Sequence, residues 1–173
     1  MLALDLGSKE WAATRLEGKN VEPIVIIEGI EAFGKTFALH FDLAKNPGGA
    51  WGVLGKQPDW VRLPFFFLIS ALAVVFIVSL YRKLEPRQWA LRWALPLVLG
   101  GALGNLVDRI RHQHVIDFID AFYIEAGKAT HWPTFNVADI WIVAGVILMG
   151  IDWFSPKAKP RKVEREPAPA AGD

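Results

Sequence analysis

Three stretches of this chain carry almost no charge, and they set the frame for everything else. Residues 63–81 (LPFFFLISALAVVFIVSLY) have no charged side chain, 89–107 (WALRWALPLVLGGALGNLV) have only Arg92, and 135–154 (FNVADIWIVAGVILMGIDWF) have only Asp139 and Asp152. A helix needs roughly 20 apolar residues to cross a hydrocarbon core ~30 Å thick. Spanning helices are therefore predicted at 63–82, 89–108 and 135–154, with a short connection at 83–88. A soluble core built from 173 residues is too small to hide three such blocks. Residues 20–62 have another texture. Positions 21–30 (VEPIVIIEGI) are rich in β-branched side chains and 36–43 (TFALHFDL) partly alternate, with turn residues at Gly34-Lys35 and Asn46-Pro47-Gly48-Gly49. That pattern predicts a small antiparallel sheet outside the membrane. The tail, 155–173, mixes Pro, Ala and charge with no apolar face and is predicted to be disordered.

The start is unusual. Residues 1–19 read as the closing turns of a helix, with too few apolar positions before Asp5 to span. They lack the basic start and apolar core of a cleavable leader. The expectation is a first spanning helix completed by further apolar residues upstream.

Composition strengthens the membrane reading. The chain is 53% hydrophobic, whereas soluble domains run near 45–50% even counting glycine. Net charge is only +1, but its distribution is informative. Arg82, Lys83, Arg87 and Arg92 lie between the first two blocks, and Lys157, Lys159, Arg161, Lys162 and Arg165 follow the last. If every block spans, both clusters share a side, which the positive-inside rule makes cytoplasmic. Residues 109–134, read as a loop, then face outward. Trp60, Trp89, Trp132 and Trp153 lie near block ends, where indole rings prefer the interface. The absence of cysteine excludes thiolate catalysis, disulfides and a Cys-based metal site.

Two aspartates stand out against this background: Asp117, in Val115-Ile116-Asp117-Phe118, and Asp139, in Asn136-Val137-Ala138-Asp139. A carboxylate at the edge of an apolar slab is costly and points to function. If the outward segment folds back over the helix ends, the two can meet. Neighbouring carboxylates resist double ionisation, so such a pair holds one proton near neutral pH. The ionised member can then draw a proton from water, while the protonated one donates to a scissile carbonyl oxygen. Asn105, Asp108 and Arg109 stand at i, i+3 and i+4 on one helical face. Gly100, Gly101 and Gly104 beside them allow a close approach by a neighbouring helix or a substrate. Asp5 and Lys9 have the spacing of an ordinary helix-surface ion pair. His112 and His114 are not followed by a third strong ligand, so no metal is expected. Ser70 and Ser79 have no nearby base in sequence, which argues against a serine nucleophile.

Four segments carry a resemblance. GGALGNLVDRIRHQHVIDF (100–118) and FNVADIWI (135–142) closely resemble signature blocks of the lipoprotein signal peptidase family, the type II signal peptidases of bacterial inner membranes. LDLGSKEWA (4–12) is similar to that family's Asp-x-x-x-Lys segment. KNPGGAWGVL (45–54) is similar to its Asn-x-Gly-Ala stretch, with Pro47 and Trp51 as departures. The resemblance implies that Asp117 and Asp139 are the catalytic dyad of an aspartic endopeptidase. It makes Asn46, Gly101, Asn105, Asp108, Arg109 and Asn136 the residues that line and order the substrate cleft, with Asp5 and Lys9 supporting it. It implies an all-α four-helix membrane bundle with a small extracytoplasmic antiparallel β-cradle and a surface helix. The partners implied are a diacylglyceryl-modified prolipoprotein, cut just before the modified cysteine, and membrane lipids. Nucleic acid has no part in it, no cofactor is needed, and a monomer is expected. The family's cyclic peptide inhibitor, globomycin, is expected to act here.

Two other classes compete with this reading. A small proton-coupled carrier would place its carboxylates near the midplane and between internal repeats. Here they gather at one surface, and no repeat is visible. A non-catalytic lipoprotein-binding factor could share the cleft, but it would tolerate loss of either aspartate.

Overall fold

The structure is a computed structural model that describes residues 1–18, 21–49 and 52–154. The tail expected to be disordered lies outside them. In chain order the elements are α1 (Leu2–Leu16), β1 (Ile24–Ala32), β2 (Lys35–Asn46), α2 (Asp59–Tyr81), α3 (Trp89–His112), β3 (Val115–Glu125), β4 (Lys128–His131) and α4 (Val137–Phe154). Helices α2, α3 and α4 are long and apolar enough to cross a membrane. Their outer surfaces show it: Leu68, Leu72, Val75 and Phe76 of α2 and Val143, Val146 and Ile147 of α4 are more than half exposed. Large apolar side chains left bare along a whole helix fit lipid rather than water.

Helix contacts depend on glycine. A Cβ on Gly101 would collide with the backbone carbonyl of Ala138, and one on Gly145 would press on Val98 and the carbonyl of Ala94. Each helix of the α3–α4 pair thus gives up side chains where the other's backbone passes, the usual solution where lipid removes the hydrophobic drive between helices. Gly104 is bare for another reason. Its missing Cβ is replaced by the carboxylate of Asp5 from α1.

The four strands form one antiparallel sheet in the order β1-β2-β3-β4. Half of it was not anticipated. Residues 109–134, expected to be an outward loop, contain the last turn of α3 and both β3 and β4. Strand β3 pairs with β2 from Thr36↔Ile124 to Asn46↔Val115, so Asp117 sits on an interior strand. A strand supplies a far stiffer mount than a loop would. Between β2 and α2, residues 52–57 form successive tight turns, and Ala50 and Trp51 lie outside the described residues. Under the sheet, Ala12 and Leu16 of α1 pack with Phe118 and Ile119 of β3. Trp11, Phe41 and Phe118 close this core with edge-on ring contacts at 5.6–6.3 Å, the favoured geometry for aromatic quadrupoles.

Candidate active site

Helix α4 begins with a reciprocal cap. The Asn136 side-chain oxygen accepts from the Asp139 backbone N–H (3.1 Å), and an Asp139 carboxylate oxygen accepts from the Asn136 N–H (3.2 Å). This is a capping box with Asn and Asp in the two roles, and it satisfies two otherwise orphaned donors. A third donor in the same turn, the Ala138 N–H, goes to Asp5 Oδ1 at 2.8 Å. An aspartate on α1 therefore caps α4. The same turn that secures the helix end fixes where the Asp139 carboxylate points.

Asp117 reaches this turn from the sheet. Because Ala44 lies opposite Asp117, Asn46 is its diagonal neighbour on the same face. Asn46 Nδ2 donates to Asp117 Oδ2 at 2.9 Å, and Asn136 Nδ2 donates to Oδ1 at 2.6 Å. Asp139 Oδ1 receives Asn105 Nδ2 at 3.0 Å. The two aspartates, on β3 and α4, are thus held in one hydrogen-bonded cluster with the fully buried Asn136 between them. Asp117 is only 2% exposed. Burial pushes its carboxyl up to about 7; donation from Asn46 opposes this, and the neighbouring Asp139 charge adds to it.

Beneath the aspartates, Lys9 bonds Asp5 (2.9 Å), Asp108 (3.0 Å) and Asn105 (2.9 Å). Asp5 and Lys9 have the spacing of a surface pair, yet both are buried. Asp108 also accepts the Ile116 N–H at 3.1 Å, tying the end of α3 to the start of β3. Arg109 reaches the other way. Its guanidinium donates to the carbonyls of Gly48 (2.8 Å) and Asn105 (3.1 Å) and lies 4.2 Å over the Phe66 ring.

A cavity of about 1000 Å³ opens beside this cluster. Its polar end is Asn46, Asn105, Arg109, Asp117 and Asp139, and its apolar wall includes Ile140, Val143 and Ile147 of α4. Of the residues expected to line the cleft, three take other places. Gly101 is buried against α4 as a packing residue. Asp108 and Asn136 lie behind the wall and hold it. Sequence reasoning missed Arg62, Gly48 and Phe66. Arg62 is buried near the start of α2 and donates to the Pro47 carbonyl at 2.5 Å and to Asp59. Two arginines thus hold adjacent carbonyls of the turn after Asn46. The available signal was a basic residue immediately before an apolar block.

The family model described as Signal peptidase (SPase) II matches residues 1–155. The chain belongs to this family. Relatives named lipoprotein signal peptidase include that of Photorhabdus laumondii, 39% identical over 164 residues, covering 94% of this chain and 89% of that protein. That of Blochmanniella pennsylvanica is 35% identical over 155 residues, covering 89% and 84%. An Anaeromyxobacter relative is 43% identical over 129 residues, and the match spans 75% of this chain and 59% of that longer protein. Among solved structures, a bacterial membrane enzyme determined in meso at 2.3 Å aligns with TM-score 0.71 and 28% identity, covering 93% of this chain and 89% of that one. The signal peptidase II fold is therefore that of a membrane enzyme.

Proposed function

We propose that this signal peptidase II acts as an aspartic endopeptidase that removes signal peptides from prolipoproteins, with Asp117 and Asp139 as its dyad. The observation that carries the reading is their convergence. A sheet strand and a membrane-helix cap deliver two carboxylates to one polar cluster at the head of an apolar-walled cavity. Asp139, the more open of the two, is the general base and takes a proton from the attacking water. Asp117, which burial keeps protonated near neutral pH, is the general acid and gives its proton to the scissile carbonyl oxygen. Collapse of the tetrahedral intermediate expels the amine, and Asp117 takes back a proton from one of its hydroxyls as the new carbonyl forms. Asp139 returns its proton to that nitrogen, and one water is consumed per bond cut. Arg109 lines the cavity, where its guanidinium can donate to a substrate or lipid carbonyl.

The finer features follow the same reading. The substrate is a diacylglyceryl-modified prolipoprotein, cut before its modified cysteine, with acyl chains along Ile140, Val143 and Ile147. Helix α1 joins α2–α4 as the fourth member of an inner-membrane bundle, in a monomer whose sheet and dyad face the periplasm. The positive clusters at Arg82–Lys83–Arg87 and after residue 156 support that orientation.

The deciding experiment incubates the purified protein with a lipidated prolipoprotein, with and without globomycin. Cleavage before the lipidated cysteine, blocked by globomycin, is the expected result. No cleavage of any lipidated precursor would sink the reading. Topology is checked with single cysteines in this cysteine-free chain. A cysteine replacing Lys128 should react with an impermeant thiol reagent from the periplasm and one replacing Lys83 should not; the reverse pattern inverts the topology.

A further inference from the structure

Three asparagines hold the two aspartates, and each has its carbonyl pinned by a group that can only donate. Asn46 Oδ1 accepts the Gly48 N–H (3.0 Å), Asn136 Oδ1 the Asp139 N–H (3.1 Å), and Asn105 Oδ1 the Lys9 ammonium (2.9 Å). An amide with its oxygen pinned must turn its NH2 the other way. In all three cases that direction is an aspartate: Asn46 and Asn136 face Asp117, and Asn105 faces Asp139. Two of the pins are backbone groups. The third is a side chain, and it is the one behind Asp139.

Lys9 is 1% exposed. Asp5 and Asp108 already compensate its charge, so its bond to Asn105 is not needed to neutralise it. Without that bond the Asn105 amide could turn over and set its oxygen against the Asp139 carboxylate, acceptor on acceptor. Asn136 Nδ2 also touches Asn105 Oδ1, at 3.1 Å, but its two hydrogens are shared with Asp117 at 2.6 Å and the Ile116 carbonyl at 3.3 Å. The ammonium is the stronger pin, because hydrogen bonds from a charged donor are about twice as strong as neutral ones.

We propose that Lys9 is a positioning residue for the reaction: acting through Asn105, it keeps an N–H donor on Asp139 Oδ1 and so holds that carboxylate aimed as a general base. This rests on the dyad reading of the site. Removing Lys9 alone leaves two buried carboxylates uncompensated and risks unfolding. The test therefore uses Lys9→Met with Asp108→Asn, which keeps the formal charge of the Asp5–Lys9–Asp108 group at −1 and leaves a carbonyl for the Ile116 N–H. Turnover of a lipidated prolipoprotein is measured for Asp108→Asn with and without Lys9→Met, and again in an Asn105→Ala background. The expected result is a kcat loss of roughly 10- to 100-fold from Lys9→Met when Asn105 is present, with KM little changed. When Asn105 is absent, the same change should cost less than about threefold, because residues acting in series are not additive. Equal losses in both backgrounds, or a raised KM with kcat intact, overturn the proposal. Asp139→Asn is the control that separates the two ideas. Turnover by that variant defeats the dyad reading itself, whereas an inactive Asp139→Asn with additive Lys9 losses defeats only the role of Lys9.

Discussion

The two ends of the story in α4 are one turn apart. Asn136 and Asp139 take part in six side-chain hydrogen bonds (one to Asp117, two to Asn105, one to the Ile116 carbonyl and two to one another's backbone), while Ile140, Val143, Val146 and Ile147 just beyond lie bare. Helix α2 shows the same division. Among its described residues only Arg62 and Ile77 are buried, and Arg62 lies near the end close to the turn after Asn46. Asn136, Asp139 and Arg62 lie where protein partners meet them, and the lengths facing outward are left largely to apolar side chains. In hydrocarbon an unpartnered polar group costs several kcal/mol. The polar end must therefore be built as a closed network, whereas the lipid-facing length only has to be apolar. Substitutions should accordingly be severe and specific at the first and tolerated at the second.

The strongest test strikes the network at its centre. Asp117→Asn and Asp139→Asn should each reduce turnover by about 10³-fold or more, given the 10²–10⁴ that general acid–base catalysis contributes, while both proteins still insert and fold. Measurable cleavage by either purified variant contradicts the assignment. The Asp117 carboxyl also predicts two pH dependences. Its folded pKa of about 7 is raised from 3.8, so the folded state binds more protons than the unfolded state between those values. Stability contributed by the neutral carboxyl is therefore full below about pH 4 and is lost as pH rises through about 7. The thermal midpoint of the parent should fall from pH 5 to pH 8 more steeply than that of Asp117→Asn. Over the same range the alkaline limb of kcat/KM should set in near pH 7, as an apparent value belonging to the pair.

The glycines sharpen the contrast along the helices themselves. Gly101→Ala should destabilise by about 1–3 kcal/mol, because the new methyl meets the Ala138 backbone, which cannot step aside. Gly104→Ala should also cut activity, since the methyl displaces the Asp5 carboxylate that caps α4. Gly150, in the same α4, has open space around it, and Gly150→Ala should leave both stability and turnover nearly unchanged. Equal tolerance at 101 and 150, read by thermal unfolding in one detergent, would erase the distinction between the two regions.

How much of this was legible in sequence follows the same division. The lipid-facing lengths announce themselves locally: the uncharged run 63–81 falls within α2, and 89–107 within α3. The polar end is legible only where its residues cluster, as at Asn105, Asp108 and Arg109, or where a family motif marks them. Strand β3 escaped because its first five residues are all buried, which removes the alternation that betrays a strand. Its partner β2 lies about 70–90 residues upstream, and the charges of Asp117, Asp120 and Glu125 gave it the look of a loop. Arg62 and Phe66 were invisible for a related reason. Their partners, Pro47 and Arg109, are remote in sequence, and no local spacing encodes them.

Arg109 and Arg111 test the division at shorter range. Arg109 is buried over Phe66 and holds the Gly48 carbonyl, while Arg111 is exposed. Arg109→Ala should lower kcat/KM by roughly 10- to 100-fold, and Arg111→Ala by less than about twofold. Arg109→Lys should recover little, since an ammonium can neither stack flat on Phe66 nor offer donors in several directions at once. Equal losses at both positions would mean that only general positive charge matters here.

The smallest effect is expected from an ion pair that is among the shortest by distance. Lys45 Nζ lies 2.7 Å from Glu17 Oε1, shorter than any contact of Lys9, yet both side chains are more than half exposed. Donation from Lys45 and its charge hold the Glu17 carboxyl below its ordinary value. Its contribution is therefore present above the unfolded pKa and fades as pH falls through the lower folded one. Water and salt screen such a pair, and its two flexible side chains lose freedom in making it. Glu17→Gln should leave the thermal midpoint and turnover close to the parent at neutral pH, and raising the salt concentration should abolish any remaining difference. Lys45 also lines the cavity, so Glu17→Gln, which leaves that lysine in place, is the cleaner probe. A loss approaching that of Arg109→Ala would show that the rim of the cavity belongs to the closed network and not to the solvated surface.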